Sequence, residues 1–435
     1  MNISILSVFP QIYDSFLQTS LVRRSAESGV ISFDRAAFSD FVLPGTRIDA
    51  PTFGHGAGML IKPKVVQKAI ESKEKQFGKA FKIFFSPHGK KLDQNLLKKI
   101  AIKAMEYDHL MLLPARYEGM DARVEKEYAD EIISVGDFVL MGGDLPAMML
   151  IEGVLRFVPG VVGKAESVQQ DSFSGSFVDH PEFTEPVEWK GYRVPDIVRS
   201  GNHAALKEWR QQEAVRRTVL QHFDWLRESS TTVQEKKMAQ KDIPPHYVVL
   251  MHDQVLVGPE AQKGTTSVTS IDIHDIARSS RTFGIKNFFI VTPLTDQQKI
   301  VEKLLHFWQT DIGIEYNPQR HRALKRVRLA SCLKDVIEQI EKKERKKPLI
   351  ITTSARPFDG KRALTYHEQS RVCKHDRPIL FLFGTGSGLS DSVMEMSDFV
   401  LLPVEGFSDF NHLSVRSAVA IILDRWLGTN PKRLN

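Results

Sequence analysis

The sequence predicts an α/β protein made of two α/β domains with a small helical domain between them. Short apolar runs of strand length alternate with amphipathic helical patterns along most of the 435 residues, which is typical of helices packed on a mostly parallel sheet. A chain of this length is long for a single hydrophobic core, so two or three domains are expected. Turn-rich, polar segments at 161–181 and 229–245 separate the periodic regions.

The first α/β domain is predicted at 1–160. Its strand candidates are 3–9, 82–87 and 109–114, and its last helix is predicted over 146–158, opening at Pro146. An interdomain loop follows at 161–181. Helical spacing with a charged opposite face then predicts the helical domain at 182–228, and a polar linker at 229–245 ends in Pro-Pro.

The second α/β domain is predicted at 246–435. Its strand candidates are 247–251, 288–292, 348–354, 378–383 and 398–404, and its closing helix runs over 413–428 with Ser414 as N-cap and Gly428 as C-cap. Both domains end in the same order of strand, glycine loop, strand, loop and apolar helix. This parallel predicts two copies of one fold.

Composition narrows the classes of function. Lys plus Arg exceeds Asp plus Glu by 59 to 53, which permits a polyanionic partner without requiring one. Two cysteines exclude a disulfide framework and fit a reducing compartment. Apolar runs are shorter than the roughly 20 residues of a membrane span, and the N-terminus lacks a signal pattern, so we expect a cytoplasmic protein without membrane segments.

A glycine-rich stretch at 134–150, SVGDFVLMGGDLPAMML, is the first candidate for a ligand site. A strand-like run, 138–140, lies among three glycines that permit close backbone approach. Neither G-x-G-x-x-G opening a helix nor the P-loop pattern is present here, and GTGSGL at 384–389 is followed by Ser390-Asp391. The pattern therefore favours a ligand held by backbone groups, such as an adenine edge with Leu140 and Pro146 against its faces.

Several motifs together resemble the bacterial tRNA (guanine-N1)-methyltransferases of the SPOUT superfamily. They are ARYEGMDARV at 115–124, the stretch 134–163, DSFSG at 171–175 and SGNHAALKEWR at 200–210, and the resemblance covers 1–228. It implies an α/β fold with a deep trefoil knot, S-adenosylmethionine as cofactor, tRNA rather than DNA as partner, and a homodimer. The implied reaction is methylation of N1 of the guanosine immediately 3′ of the anticodon.

The resemblance also implies the site residues. The cofactor site would comprise Pro87, Ala115, Tyr117, Glu118, Gly119, Val135, Gly136, Asp137, Phe138, Val139, Leu140, Gly142, Gly143 and Pro146. The substrate side would comprise Gly58, Asp179, Asn202 and His203, with the helical domain at 182–228 binding tRNA. The family's reported use of magnesium makes Glu118 a candidate participant, although no metal-ligand cluster is predicted.

The chemistry adds two catalytic candidates. Guanine N1 carries a proton, so a carboxylate is needed as general base, and an arginine would stabilise the charge that develops on O6. Asp171 and Arg156 match the family's positions for these roles. Taken alone, Asp171 is also typical of a turn or helix cap, and Arg156 also suits a helix C-terminus. The family's usual Cys-Gly, Tyr and Glu are replaced by Pro114-Ala115, Phe138 and Asp144.

The second α/β domain resembles the ribose-methylating SPOUT branch more distantly. The residues concerned are 274–291, the GTGSGL loop and 410–423, and they make Arg278, Gly384, Gly386, Gly388 and Asn411 candidates for a second site. Two interpretations stay open for this half: a second RNA methyltransferase, or a non-catalytic module that docks RNA or dimerises. The basic stretch 319–328 motivates the docking interpretation, but such runs are also typical of solvated surfaces.

Overall fold

The computed structural model describes residues 1–54, 56–163, 171–356 and 362–431. Contacts divide the chain into two compact units, Met1–Gly175 and the residues from Ser176 onward, and each is described separately. Part of the predicted loop at 161–181, namely 164–170, lies outside the described residues. In the described ranges, no helix combines the length and the hydropathy that a membrane crossing requires.

The first unit alternates strands and helices. Its strands are β1 (Asn2–Ser7), β2 (Ser32–Ala37), β3 (Asp49–Pro51), β4 (Met59–Ile61), β5 (Phe81–Lys91), β6 (His109–Leu113) and β7 (Glu131–Ser134). Its helices are α1 (Asp14–Leu17), α2 (Ser20–Glu27), α3 (Pro63–Phe77), α4 (Gln94–Tyr107), α5 (Ala122–Tyr128) and α6 (Asp144–Leu155).

A five-stranded sheet, ordered β2-β1-β6-β5-β7, forms the centre of this unit, and all its paired neighbours are parallel. Its central strands are apolar on both faces, and separate hydrophobic clusters cover the two faces. The strands predicted at 3–9, 82–87 and 109–114 are confirmed. The pairing of β5 with β7 shifts register between Phe85 and Lys90, which accommodates Pro87, a residue without an amide hydrogen.

The strand-like run at 138–140 is not a strand. The chain leaves β7 at Ser134 and follows an irregular path to α6, which begins at Asp144, two residues before the predicted Pro146. Phe138, Val139 and Leu140 are exposed rather than paired in a sheet. Their apolar character therefore has an origin other than strand formation.

The second unit opens with a helical segment and continues as an α/β domain. Its helices are α7 (Asp196–Arg199), α8 (His203–Gln221), α9 (Phe223–Glu228), α10 (Val233–Asp242), α11 (Ser270–Thr282), α12 (Thr295–Gln309), α13 (Asp311–Tyr316), α14 (Pro318–Leu324), α15 (Leu333–Glu344), α16 (Gln369–Cys373), α17 (Asp391–Glu395) and α18 (Val415–Leu427). Its strands are β8 (Glu188–Trp189), β9 (Tyr192–Arg193), β10 (His246–Met251), β11 (Val255–Val257), β12 (Gln262–Gly264), β13 (Asn287–Val291), β14 (Val327–Ala330), β15 (Leu349–Thr353), β16 (Ala363–Leu364), β17 (Ile379–Gly384) and β18 (Phe399–Leu401).

The seven-stranded parallel sheet of this unit has the order β14-β13-β10-β17-β15-β18-β16. Its middle five strands, β13-β10-β17-β15-β18, repeat the order β2-β1-β6-β5-β7 of the first sheet, with β10 in the place of β1. The predicted duplication is therefore confirmed at the level of strand order. Ser414 and Gly428 cap α18 as predicted.

The helical segment packs within the second unit. Val219, Phe223 and Leu226 form a small apolar cluster with Ala239 of α10, and Leu427 of α18 packs against it. The segment predicted as a linker at 229–245 thus contains a helix. Its start is fixed by a capping box in which Thr232 and Glu235 satisfy each other's backbone amides.

A buried histidine joins β10 to α18 in this unit. The Trp426 indole Nε1 donates to His246 Nε2 at 3.0 Å, so the other ring nitrogen, Nδ1, carries the proton and donates to Pro244 O at 2.6 Å. Burial lowers the pKa of His246 from 6.5 to about 4. The folded state therefore keeps this ring neutral at pH values where an unfolded histidine is protonated.

We expect the second unit to lose stability as pH falls from 7 to 5. The unfolded chain takes up a proton below pH 6.5 that folded His246 does not bind until about pH 4, which costs about 2 kcal/mol at pH 5. All five tryptophans lie in this unit, so tryptophan fluorescence during thermal unfolding reports on it. His246→Gln should show a shallower pH dependence, and an equal dependence in the two proteins would contradict the assignment.

Candidate functional site

A cavity of about 430 Å³ lies at the carboxyl edge of the first sheet. Its walls come from the segments that follow β6 and β7, from the irregular part of β5, and from the start of α6. All the residues predicted for cofactor binding line it except Asp137, whose side chain is 89% exposed and pairs with Lys91 at 2.7 Å. Phe138, Val139 and Leu140 form part of the wall, which accounts for apolar residues on an irregular loop.

Close backbone packing explains two of the glycines. A Cβ on Gly142 would lie 2.5 Å from Arg116 Cδ, and one on Gly143 would lie 2.9 Å from Pro114 Cα. The Gly143 amide donates to Ala115 O at 2.8 Å. Gly142 and Gly143 are thus required because the segment after β6 packs directly on them, and this contact closes one side of the cavity.

A buried carboxylate stabilises the contact between the segment after β6 and the start of α6. Asp144 is 1% exposed and accepts hydrogen bonds from Ser7 Oγ at 2.6 Å, Tyr13 Oη at 3.0 Å and Arg116 Nε at 2.7 Å. Burial and the neighbouring Asp144 raise the pKa of Tyr13, so the phenol remains a donor. These bonds join the end of β1 and the loop after β6 to the start of α6.

The cavity also has an acidic side. Glu118 and Glu125 line it, and burial raises the pKa of Glu125, an effect that His88 opposes. His88 Nε2 lies 3.4 Å from Glu125 Oε2, and its Nδ1 lies 2.6 Å from Ser86 Oγ. Sequence reasoning missed His88 and Glu125, because no motif marks them and only folding brings β5 and α5 together.

The predicted substrate residue Gly58 lies beside this side of the cavity. A Cβ there would lie 2.4 Å from Glu118 Cγ, and the Glu118 amide donates to Met59 O at 3.0 Å. Gly58 has a positive φ of 89°, a second reason for glycine at this position. The loop that carries Gly58 therefore packs on the loop that carries Glu118.

The two catalytic candidates form an ion pair. Arg156 Nη2 donates to Asp171 Oδ2, and both side chains are partly exposed. Arg156 is the C-cap residue of α6, and the Asp171 carbonyl accepts from the Ser174 amide at 3.1 Å, as in a turn. Arg156 thus ends a helix and Asp171 lies in a turn, which are the structural roles that the sequence also suggested. In addition, the two side chains pair with each other.

The remaining substrate candidates belong to the second unit. Asn202 is the N-cap of α8 and accepts from the Ala205 amide at 3.1 Å, while His203 is the exposed first residue of that helix. Asp179 is exposed, and its carbonyl accepts from Arg217 at 3.4 Å. The amide of Asn202 therefore has a structural role in starting the helix.

A second cavity, of about 540 Å³, lies at the carboxyl edge of the second sheet. Four of the predicted residues line it, namely Gly384, Gly386, Gly388 and Asn411, whereas Arg278 lies exposed on α11 outside its lining. A Cβ on Gly386 would lie 2.6 Å from Leu256 O, and the Leu256 amide donates to Gly388 O at 2.8 Å. The glycine loop is thus fixed against β11.

Much of the basic stretch at 319–328 has intramolecular partners. Arg326 donates to Ile285 O at 3.0 Å, and Arg328 donates to Lys325 O at 2.8 Å. The Arg320 guanidinium lies 5.0 Å from the centre of the Trp308 ring. These contacts give the arginines structural roles, which weakens the argument for RNA docking that the sequence suggested.

Within the described ranges, no group of three or more His, Cys, Asp or Glu side chains is placed to hold a metal ion. The carboxylates nearest to such a role in the first cavity are those of Glu118 and Glu125. Magnesium is commonly bound through one or two carboxylates with water and substrate oxygens. The first cavity therefore fits a magnesium ion only as one shared with a bound substrate.

Comparison with known proteins gives two matches along the chain. Residues 1–228 match the family model described as tRNA (Guanine-1)-methyltransferase TrmD, and residues 245–428 match the model described as SAM-dependent RNA methyltransferase. A tRNA (guanine-N(1)-)-methyltransferase of Oleidesulfovibrio alaskensis is 36% identical over 434 residues, covering 98% of this chain and 99% of the relative.

Other relatives of the same name differ in length. That of Nitratidesulfovibrio vulgaris is 35% identical over 437 residues, covering 98% of this chain and 99% of the relative. That of Bacillus subtilis is 36% identical over 239 residues, covering 54% of this chain but 97% of the relative. Some relatives therefore align with both units of this chain, whereas others align with about half of its length.

We expect Asp144→Asn to widen or distort the first cavity, because the amide carries no charge to compensate the Arg116 guanidinium and offers one acceptor oxygen where three donors converge. Binding of S-adenosylhomocysteine should weaken roughly tenfold, and thermal stability should fall by roughly 3 kcal/mol. Isothermal titration calorimetry and thermal unfolding measure the two effects. Asp137→Asn, on the same loop but outside the cavity, is the matched control, and equal behaviour of the two variants would contradict the role of Asp144.

Proposed function

The chain belongs to the tRNA (guanine-1)-methyltransferase family, and we propose that it transfers a methyl group from S-adenosylmethionine to N1 of the guanosine immediately 3′ of the anticodon. The observation that carries the proposal is the pairing of Asp171 with Arg156 in a domain that also holds the first cavity. The pair supplies a proton acceptor and a cation for the guanine, and the cavity supplies a place for the cofactor.

The first cavity fits S-adenosylmethionine by size and chemistry. Loop backbone groups surround it, Leu140 and Pro146 offer apolar contact to a base, and Glu118 and Glu125 offer negative charge to a cationic ligand. When bound, S-adenosylmethionine supplies an electrophilic methyl group on a positively charged sulfur. The direct packing of 114–116 on Gly142 and Gly143 supports our proposal that this part of the chain is knotted.

Asp171 and Arg156 have complementary tasks in this mechanism. The Asp171 carboxylate accepts the proton from guanine N1, which makes that nitrogen nucleophilic. The Arg156 guanidinium then stabilises the negative charge that moves to O6. Because the two side chains are paired in the free protein, guanine binding has to insert its N1–O6 edge between them.

The length of α6 supports a homodimer with shared active sites. Pro146, near the start of α6, lines the first cavity, while Arg156 lies at the end of the helix, ten residues or about 15 Å away. Direct methyl transfer requires the reacting atoms to lie about 3 Å apart. The cavity of one chain is therefore proposed to work with Asp171 and Arg156 of another copy.

The remaining parts of the proposal concern partners and location. The substrate is tRNA, which the exposed start of α8 would contact through its N-cap Asn202 and through His203, and DNA is not a proposed partner. Magnesium would act beside Glu118 together with bound substrate. With tRNA as its substrate, we propose that the enzyme acts in the cytoplasm.

A second candidate function concerns the second unit. Its cavity, with the glycine loop and Asn411, together with the match of residues 245–428, favours a second RNA methyltransferase over a module that only docks RNA. The intramolecular partners of Arg326 and Arg328 point the same way. Ribose methylation is one option for its chemistry, although Arg278 lies outside the cavity lining.

Asp171→Asn tests the proposed reaction. The amide cannot accept the N1 proton, so the rate of methyl transfer to tRNA should fall by roughly a hundredfold or more, while binding of S-adenosylhomocysteine stays within about twofold. Labelled S-adenosylmethionine and tRNA transcripts with guanosine or adenosine 3′ of the anticodon provide the assay. Equal labelling of both transcripts by the unaltered protein would contradict the proposed specificity for guanosine. Full activity of the variant would contradict the role of Asp171 as the base.

Subunit complementation tests the shared site. Asp171→Asn retains the first cavity, and Gly143→Val, whose side chain would collide with Pro114, retains Asp171. Each variant alone should be inactive. A one-to-one mixture of subunits should recover about a quarter of the activity, because half of the dimers are mixed and each has one intact site. No recovery after verified subunit exchange would contradict a site shared between chains.

A further inference from the structure

His252 follows β10 at the carboxyl edge of the second sheet and lines the second cavity. Its side chain is 1% exposed, and no proposed function so far uses it. Burial lowers its pKa to about 4, which nearby Asp272 opposes. The ring is therefore neutral near pH 7, with one nitrogen as a donor and the other as a bare acceptor.

A chain of hydrogen bonds fixes which nitrogen is the acceptor. Thr385 Oγ1 donates to the Met251 carbonyl at 2.9 Å, so its single proton is committed. Thr266 Oγ1, 2.5 Å from Thr385 Oγ1, must then donate to it. His252 Nδ1, 3.0 Å from Thr266 Oγ1, must in turn be the protonated nitrogen and donate to that hydroxyl. Nε2 is left with its lone pair.

This lone pair has no hydrogen-bond partner among the described residues. A buried acceptor that lacks a partner destabilises the folded protein, and such groups call for an explanation. His246 shows the contrast, since this buried histidine at the start of β10 has both ring nitrogens hydrogen-bonded. His252 thus differs from a structural histidine in the atom that borders the cavity.

We propose that His252 Nε2 is a recognition group of a second nucleoside site, accepting a hydrogen bond from a hydroxyl or amino group of an adenosyl ligand. The inference rests on the cofactor site proposed for the second unit, and it assigns a residue there that neither the glycine loop nor Asn411 indicated. Thr266 and Thr385 are positioning residues, because they set the tautomer and the orientation of the ring.

The rest of the cavity suits such a ligand. Its volume of about 540 Å³ is of the order that small-molecule ligands occupy. Asp272, which is nearly buried, is held by Thr269 and by Arg416 at 3.2 Å, so its charge is compensated within the wall. A neutral acceptor at His252 then adds selectivity for donor groups without adding charge.

The test is calorimetric titration of the full chain with S-adenosylhomocysteine, which cannot transfer a methyl group. The unaltered chain should bind two molecules per chain, and Gly143→Val, which disrupts the first cavity, should bind one. In that background His252→Asn keeps an amide donor for Thr266 but lacks an acceptor at the Nε2 position. It should weaken binding roughly five- to a hundredfold.

His252→Gln places an amide oxygen near the Nε2 position and should keep the affinity within about threefold. His246→Gln is the matched control for loss of a buried histidine, and it should not change the affinity. Tryptophan fluorescence confirms that each variant is folded. Equal affinities of the Asn, Gln and parent proteins would overturn the role of His252, as expected if only water occupies the position.

Absence of binding in the Gly143→Val background, with one site in the unaltered chain, would overturn the second nucleoside site itself. That result would also remove the proposed second methyltransferase while leaving the tRNA reaction of the first unit intact. If the unaltered chain binds two molecules and His252→Asn leaves the affinity unchanged, only the recognition by His252 is overturned.

Discussion

The buried carboxylate of Asp144 is the interaction on which the first site depends. Removing a charge from water costs several kcal/mol unless partners compensate it, and here a guanidinium and two hydroxyls do so. The partners come from positions 7, 13 and 116, so the carboxylate ties together segments that are distant in sequence. The carboxylate therefore links the wall of the cavity, the contact at the two glycines and the start of α6. Loss of any partner leaves a buried polar group unpaired.

The sequence predicted the parallel strands well, because strands buried on both faces read as continuous apolar runs. It failed where tertiary contacts decide the structure. The run at 138–140 resembles a strand but lines a cavity, and the polar segment before Pro244 becomes α10 because a capping box and the burial of Ala239 stabilise it. The family resemblance implied most of the residues that line the first cavity, whereas Glu125, His88 and His252 required the folded chain.

Duplicated strand order does not imply duplicated chemistry. At the end of β1, Ser7 donates to a buried carboxylate that belongs to the start of α6. At the equivalent end of β10, His252 donates to a chain of threonine hydroxyls, and α18 instead begins near the Asp272–Arg416 pair. The carboxyl edge of the sheet therefore carries the buried carboxylate of Asp144 in one unit and the neutral acceptor of His252 in the other. This difference argues for different ligand contacts in the two cavities.

The ends of the two terminal helices bear on which surface completes the first cavity. In the first unit, the end of α6 presents the paired and partly exposed Arg156 and Asp171. In the second unit, the end of α18 is covered, because Arg227 donates to the carbonyls of Asp424 and Gly428 at 3.0 and 2.8 Å. The last carbonyls of α18 are thus bonded to a side chain of the same unit. This difference agrees with the proposed homodimer, in which the α6 end of a second copy would complete the first cavity.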